Sequence, residues 1–369
     1  METEYSNSKQ FSLPEGLYDC SYEASVTYLK NGEMTEGKLR GYQASLKVLG
    51  TDVKVTLESY LLEDKNDFII EEIFFAGTLQ PSGKQYNGDQ YVKIYNNTDH
   101  VLYADGVSFM ESKFITVTKY DYTPDIMKEA MTVQAIYTIP GNGTDHPVQP
   151  GESLIICDTG MDHRVANPNS FDLSRADFEW YDESSVPAHM DIDSPTVPNL
   201  DKYYCYTLSF WILHNRGFRA FALARIPEKK EDFLKDYLYT YKYVMVLPAG
   251  TFPMEQTAYK VPNEWIIDAV NTSVESRYVW NVTDPSLDSG WTHCGTIDGD
   301  KTRYFKSVRR KLLYITRDGR KVLKDTNNSS DDFNTECVPS LIEEQHTATD
   351  ANGTPAVNIT YDGVTPKTE

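Results

Sequence analysis

"DQYVKIYNNTDHVLYADGVSF", Asp89 to Phe109, is the stretch on which the reading of the fold turns. Two apolar runs flank a knot of turn residues, Asn96-Asn97-Thr98-Asp99. Val92 and Ile94 alternate with Tyr91, Lys93 and Tyr95, the period of two expected of a strand with one face in a core. Asn and Asp suit the turn because their side chains bond back to nearby backbone. Apolar sequence resumes from Val101 to Ala104, Asp105-Gly106 turns again, and another strand follows. The pattern predicts antiparallel β-structure, with Val92 and Ile94 inward and Lys93 outward.

The same signals recur on both sides. Residues 1–10 read as a linker and residues 11–67 as a small, partial β domain of about three strands. Its faces are Tyr22, Ala24, Val26 and Tyr28, then Tyr42, Ala44, Leu46 and Val48, then Val53, Val55, Leu57 and Leu61. Asn31-Gly32 and Gly50-Thr51-Asp52 are turn signals. "FIIEEIFFAG" from Phe68 is a buried strand, and the polar loop "TLQPSGKQYNGD" follows it. Further on, "PDIMKEAM" from Pro124 predicts a short helix with Pro in its first turn, and "GESLIICD" a strand. "YYCYTLSFWILHNRGFRAFALARI" predicts two strands around a turn at His214 to Gly217. "PEKKEDFLKDYLY" predicts a helix with Phe233, Leu234, Tyr237 and Leu238 on one face. "VPNEWIIDAVN" fits helix or strand equally. "RYFKSVRRKLLYITRDGRKVL" predicts a hairpin turning at Asp318-Gly319, and residues 341–369 a polar tail. Many strands and few helices point to a mostly β sandwich.

Composition narrows the function classes. A chain of 369 residues makes two domains, or one with large insertions. No apolar run approaches the roughly 18 residues of a membrane-spanning helix. With 35 basic and 55 acidic residues, the net charge of −20 repels nucleic-acid phosphates and anionic lipid. The 26 Tyr suit strands and wet binding surfaces. Cys20, Cys157, Cys205, Cys294 and Cys337 form no CxxC pair, and buried free thiols are expected. "METEYSNSKQF" has no basic region followed by an apolar stretch. It reads as a polar tether at the start of a mature or trimmed chain, with a cytosolic protein as the alternative.

Six segments in order carry a family resemblance: "IIEEIFFAG…GDQYVKIYNNTDHVLYADGVSF", "VQPGESLIICD", "NSFDLSRADFEWYD", "NEWIIDAVN", "KSVRRK" and "DTNNSSDDF". Over residues 69–334 they resemble the lamin tail domain. The resemblance implies an immunoglobulin-like β-sandwich at residues 68–340, with insertions at about 110–147 and 160–260. The whole chain also resembles secreted lamin-tail-like lipoproteins of Gram-negative anaerobes. These carry a transthyretin-like or carboxypeptidase-regulatory-like β domain first, and "LPEGLYDCSYEA" is similar to its second half. The first half and a lipidation Cys near the start are missing here. The resemblance implies a secreted, surface-anchored outer-membrane protein whose partner is a transporter or another surface protein; the expected role is a non-enzymatic binding module that assists nutrient capture or mediates adhesion. Membrane attachment would come only through an N-terminal lipid anchor absent from this sequence.

Two groups of residues suggest chemistry. "CDTGMDHR" offers Asp158, Asp162 and His163, and "AHMDID" offers His189, Asp191 and Asp193. His and Asp at such short spacing can converge on a divalent cation. Asp162, His163, His189 and Asp191 are therefore candidate ligands, and a metal-dependent hydrolase is an alternative function. Capping of polar loops is the more ordinary use of such residues. No HExxH, GxSxG or phosphate loop occurs, so neither catalytic residues nor a cofactor other than that metal is expected. Lys301 to Lys324 holds ten basic residues and one acidic, Asp318. Arg303, Lys306, Arg309, Arg310 and Lys311 there are a candidate polyanion site. The alternative is neutralisation by the following segment, Asp325 to Glu369, with nine acidic residues and one basic.

Overall fold

The computed structural model describes residues 10–30, 33–50, 52–57, 59–62, 66–184, 186–187, 190–299 and 301–346. The chain divides into two compact units, residues 1–64 and 65–369. In the first, β1 (Gly16–Lys30), β2 (Glu33–Val48) and β3 (Ser59–Leu62) form an antiparallel sheet in that order. Lys30 pairs with Glu33, and the Asn31-Gly32 turn itself lies outside the described residues, as does Thr51. Residues 53–57 form no strand despite their alternation.

The second unit begins with β4 (Ile69–Phe74), the short pair β5 (Thr78–Leu79) and β6 (Gln85–Tyr86), and β7 (Tyr91–Tyr95). Next come β8 (Leu102–Tyr103), β9 (Val107–Ser112), β10 (Ala130–Thr138), β11 (Pro147–Val148), β12 (Ser153–Cys157), β13 (Phe178–Glu179), β14 (Asp201–Cys205) and β15 (Ala220–Arg225). Helix α1 (Lys230–Asp236) leads into β16 (Leu238–Leu247), β17 (Gly250–Pro262), β18 (Ile266–Ser273) and β19 (Thr292–His293). The chain closes through β20 (Ser307–Arg310), β21 (Leu312–Ile315), β22 (Lys321–Leu323), α2 (Ser329–Asp332), β23 (Phe333–Cys337) and α3 (Ser340–Gln345).

Two sheets make a β-sandwich. One has the order β13-β12-β7-β4-β20-β23. The other has the order β16-β17-β10-β9-β15-β18-β19, with β14 also paired to β10. Between them lie Ile70, Ile73, Val92, Ile94, Ile156 and Val308 from the first sheet, and Val107, Phe109, Tyr137, Phe221, Leu223 and Val270 from the second. Val92 pairs with Ile73 and Ile156, and Ile94 with Ile70 and Leu154, so one apolar row crosses β4, β7 and β12. Asn96 closes the turn after β7. Its Oδ1 accepts from the Thr98 N–H and hydroxyl, and its Nδ2 donates to the carbonyls of His100 and Val148.

The outer faces are covered as well, and this corrects several expectations. Tyr91 packs with Phe74, Phe171 and Leu341 on the far side of the first sheet. Lys93 is also packed rather than solvated: its Nζ lies 3.4 Å from Ser340 Oγ and 3.8 Å from a Glu71 carboxylate oxygen. On the far side of the second sheet, Met110, Val133, Ile136, Ala222 and Ala269 pack under Phe233, Tyr241 and Trp280. With both faces covered, strand sequences lose their alternation. "PDIMKEAM" accordingly forms turns leading into β10 and no helix. The segment Tyr203 to Ile226 is not a hairpin: β14 pairs with β10, and β15 lies between β9 and β18. The expected insertions at 110–147 and 160–260 contain β10 and β15, both central strands. "NEWIIDAVN" resolves as a short 3₁₀ turn followed by β18. The Asp318-Gly319 hairpin is confined to β21 and β22, while β20 belongs to the main sheet. Helix α1 forms where expected but is shorter: Phe233 is buried and Glu231 and Asp232 stand in the first turn, whereas Tyr237 is the C-cap and Leu238 opens β16 with its side chain exposed.

Candidate functional site

Of the residues singled out for metal chemistry, His163 and Asp158 lie beside the start of β7 and the end of β12, in a buried polar centre. Gly77, at φ +70°, lets the chain turn tightly between β4 and β5, and a Cβ there would lie 2.2 Å from the Tyr86 carbonyl oxygen. The turn brings Thr78 onto Asp89. The Asp89 carboxylate accepts from the hydroxyls of Thr78 and Ser170, and Asn167 Nδ2 donates to Thr78 Oγ1 at 2.8 Å. The other carboxylate oxygen of Asp89 is buried without a partner. Burial pushes the Asp89 carboxyl up to about 6.

His163 sits in the same centre, fully buried. Its Nδ1 is 2.8 Å from the Tyr86 hydroxyl and its Nε2 is 2.9 Å from the Thr159 carbonyl oxygen. A carbonyl only accepts, so Nε2 carries the proton and Nδ1 accepts from Tyr86. Burial pulls the imidazole down to about 4, and the ring is neutral at pH 7. Both nitrogens are thus occupied within the protein. Asp158 accepts from Trp180 Nε1 at 3.0 Å and from Thr159 Oγ1 at 3.2 Å, and burial pushes its carboxyl well above the ordinary value.

The remaining candidates do not converge on His163 as ligands. Asp162 caps the 3₁₀ turn His163–Val165 and forms a two-pronged pair with Arg164, Nε to Oδ1 at 2.7 Å and Nη2 to Oδ2 at 2.6 Å. Asp191 accepts from the N–H groups of Asp182 and Ile192. Asp193 accepts from Asn199 Nδ2. His189 lies outside the described residues. Among the described residues, no three His, Cys, Asp or Glu side chains are grouped to hold a metal ion. The Cys157 and Cys294 thiols are buried, and burial pushes both well up, away from the nucleophilic thiolate. Two shallow surface clefts flank this region. One, of about 300 Å³, is lined by Arg164, Asp172, Arg175 and Gln345. The other, of about 280 Å³, includes His146, Leu154, Asp177 and Phe178.

The basic segment is largely turned inward, which corrects its reading as one exposed cationic face. Arg310 is buried across the sandwich: Nη2 meets Asp268 of β18 at 2.7 Å, Nε donates to the Ile70 carbonyl, and Nη1 meets Asp325 at 3.1 Å. Arg309 pairs with Glu343 of α3 at 2.6 Å, and Lys306 pairs with Glu336. Lys311 Nζ donates to the Asp331 carbonyl. Arg303 is buried, with Nε on the Asn215 carbonyl and Nη2 on the Tyr304 hydroxyl. The acidic partners Asp325, Glu336 and Glu343 all come from the segment that follows.

One exposed feature escaped the sequence reading altogether. Strands β16 and β17 pair residue for residue from Leu238↔Tyr259 to Leu247↔Gly250, around the two-residue turn Pro248-Ala249. Only the base of this hairpin joins the sandwich, through Tyr259 to Pro262 on β10 and a bridge from Lys242 to Thr123. Tyr239, Tyr241 and Tyr243 stack along one face; Tyr241 and Tyr243 meet Phe114, Tyr120 and Tyr122, and Trp280 stacks on Tyr122. Beyond Tyr243 the side chains are exposed: Val244 50%, Val246 72%, Leu247 45% and Phe252 40%. The strict alternation Tyr239, Tyr241, Tyr243, Met245, followed by Pro-Ala-Gly, was the signal available in the sequence.

Residues 149–340 match a family described as "Protein of unknown function (DUF4876)". The fold is similar to the crystal structure of a DUF4876 family protein from Bacteroides thetaiotaomicron VPI-5482. The TM-score is 0.59 at 23% identity, covering 89% of this chain and 85% of that one. At that identity the likeness is one of fold. No curated protein matches the chain. The matched segment is 340 − 149 + 1 = 192 of the 369 residues and runs from the turn before β12 to the start of α3, and the chain belongs to the DUF4876 family.

Proposed function

We propose that this protein is a non-enzymatic binding module displayed on the cell surface. In this reading it holds a nutrient or a partner protein beside an outer-membrane transporter, or mediates adhesion. The observation that carries the reading is the state of His163. The best-placed acid–base group of the polar centre spends both ring nitrogens on Tyr86 and Thr159 and is buried and neutral. A general base needs a free nitrogen within reach of a substrate proton. The neighbouring carboxylates likewise anchor loops. Surface display, the lamin-tail relationship and the transporter partner rest on the ordered segments of residues 69–334. Two measurements test the proposal. Protease added to intact cells should remove the protein from the surface, and purified protein should hold no stoichiometric zinc, manganese or iron. A protease-resistant intracellular pool, or a tightly held metal together with hydrolase activity, overturns it.

A further inference from the structure

We infer that the β16–β17 hairpin is a membrane-contacting arm whose tip enters the interfacial region of a neutral lipid bilayer. The inference stands on the hairpin alone and is independent of the surface-module reading. Residues 243–254, "YVMVLPAGTFPM", carry no charge in a chain of net charge −20. The neutral stretch is bounded where the strands leave the sandwich by the pair Lys242–Glu255, Nζ to Oε2 at 3.1 Å.

Charge, shape and area together favour lipid over a protein partner. Alternation puts Met245, Leu247, Phe252 and Met254 on one face of the arm, and Val244, Val246 and Pro253 with the uncharged Thr251 on the other. Both faces of the tip are therefore uncharged and predominantly apolar. A protein surface covers one face, whereas a bilayer surrounds both. The four most exposed tip side chains present on the order of 350 Å² of apolar surface. That is well short of the roughly 800 Å² per partner of a stable dimer. Tyr243, Tyr120 and Tyr122 stand half-buried at the root of the arm, with Tyr241 behind them. Tyr is the residue type that settles at a membrane–water interface, ring towards the acyl chains and hydroxyl towards water. From Tyr243 to Leu247 the strand advances about 13 Å, enough to carry the tip the roughly 5–10 Å at which interfacial segments bury. Among the described residues no helix is long and apolar enough to cross a membrane, so the contact proposed is interfacial. The strong negative charge of the chain selects against anionic lipid.

The test is flotation of the full chain with phosphatidylcholine vesicles, alongside vesicles containing phosphatidylserine. The chain should float with the neutral vesicles and less with the anionic ones. The double variant V246E/F252E should partition more than about tenfold more weakly, with an unchanged melting temperature because both side chains are exposed. The single variant Phe252→Trp should show a blue-shifted emission, quenched by brominated phosphatidylcholine. Three outcomes overturn the inference: no flotation at millimolar neutral lipid, flotation untouched by V246E/F252E, or a concentration-dependent dimer that V246E/F252E dissociates while neither form binds lipid.

Discussion

Asp288 shows how much a single carboxylate holds in this protein. It is fully buried and accepts five hydrogen bonds. These come from the N–H groups of Gly290, Ser329 and Asn271, from Asn271 Nδ2 and from the Ser329 hydroxyl, at 2.7–3.0 Å. The knot ties β18, the loop before β19 and the start of α2 together. Asp288→Asn preserves shape but turns an N–H₂ towards backbone donors. It should cost about 2–4 kcal/mol in chemical denaturation, since a lost bond and an unsatisfied buried donor add. Asp89 predicts the opposite sensitivity. Its folded carboxyl titrates near 6 against an ordinary value of 3.8. Between those values the folded state binds more protons than the unfolded state, so stability due to this group is present below about pH 4 and lost as pH rises through 6. Asn can place its N–H₂ at the unpartnered oxygen. Asp89→Asn should therefore exceed the wild type in stability at pH 8, by on the order of 3 kcal/mol at most. That advantage should vanish near pH 4. A variant whose difference from wild type does not change with pH refutes the burial argument.

At the level of elements, the two sheets are joined by an ion pair as well as by apolar packing. Arg310 on β20 and Asp268 on β18 meet inside the sandwich, and the Ile70 N–H donates to the same Asp268 oxygen. Removing one partner strands a buried charge. Arg310→Met should cost about 3–5 kcal/mol, and adding Asp268→Asn should recover part of that loss in a double-mutant cycle. Full additivity of the two changes would mean that the pair carries no coupling. Within β7, Ile94→Ala should cost about 2–5 kcal/mol, because its cavity opens among residues of both sheets. Lys93→Ala should also register, since the Lys93 amine reaches Ser340 and Glu71. Each measurement is an unfolding midpoint, and a negligible cost at Ile94 would contradict the facing assigned to β7.

For the whole molecule, the acidic segment over residues 325–346 is structural. Strand β23 flanks β20 and buries Phe333 and Cys337, while α3 buries Leu341 and Ile342 and supplies Glu343 to Arg309. Truncation after Asp332 should abolish the cooperative thermal transition and yield a protease-sensitive chain. A folded truncated protein that gains heparin affinity would instead mean that the segment is a removable cover over a cationic surface.

Local pattern sufficed wherever one face of an element meets water or a turn needs a particular residue. The Asn96 turn, the Phe233 face of α1 and the β sandwich as a class could be read this way. It failed where both faces are covered. The helix expected from Pro124 runs into the start of β10, whose own sequence lacks alternation because Met131, Val133, Ala135 and Ile136 find partners on opposite sides of one sheet. Pairing over long range is equally invisible to spacing, and so β14 and β15 look like a hairpin although each joins different neighbours. The charged residues divide in the same way. The sequence by itself determined that Arg309 and Arg310 sit in a basic run followed by an acidic one, and that His163 lies among aspartates. Only the tertiary structure decided that those arginines point inward to carboxylates and that the His163 ring is held neutral. The physical reason is that solvation, and with it the state of a charge, depends on how many layers of protein cover a residue, a quantity set by the packing of distant segments.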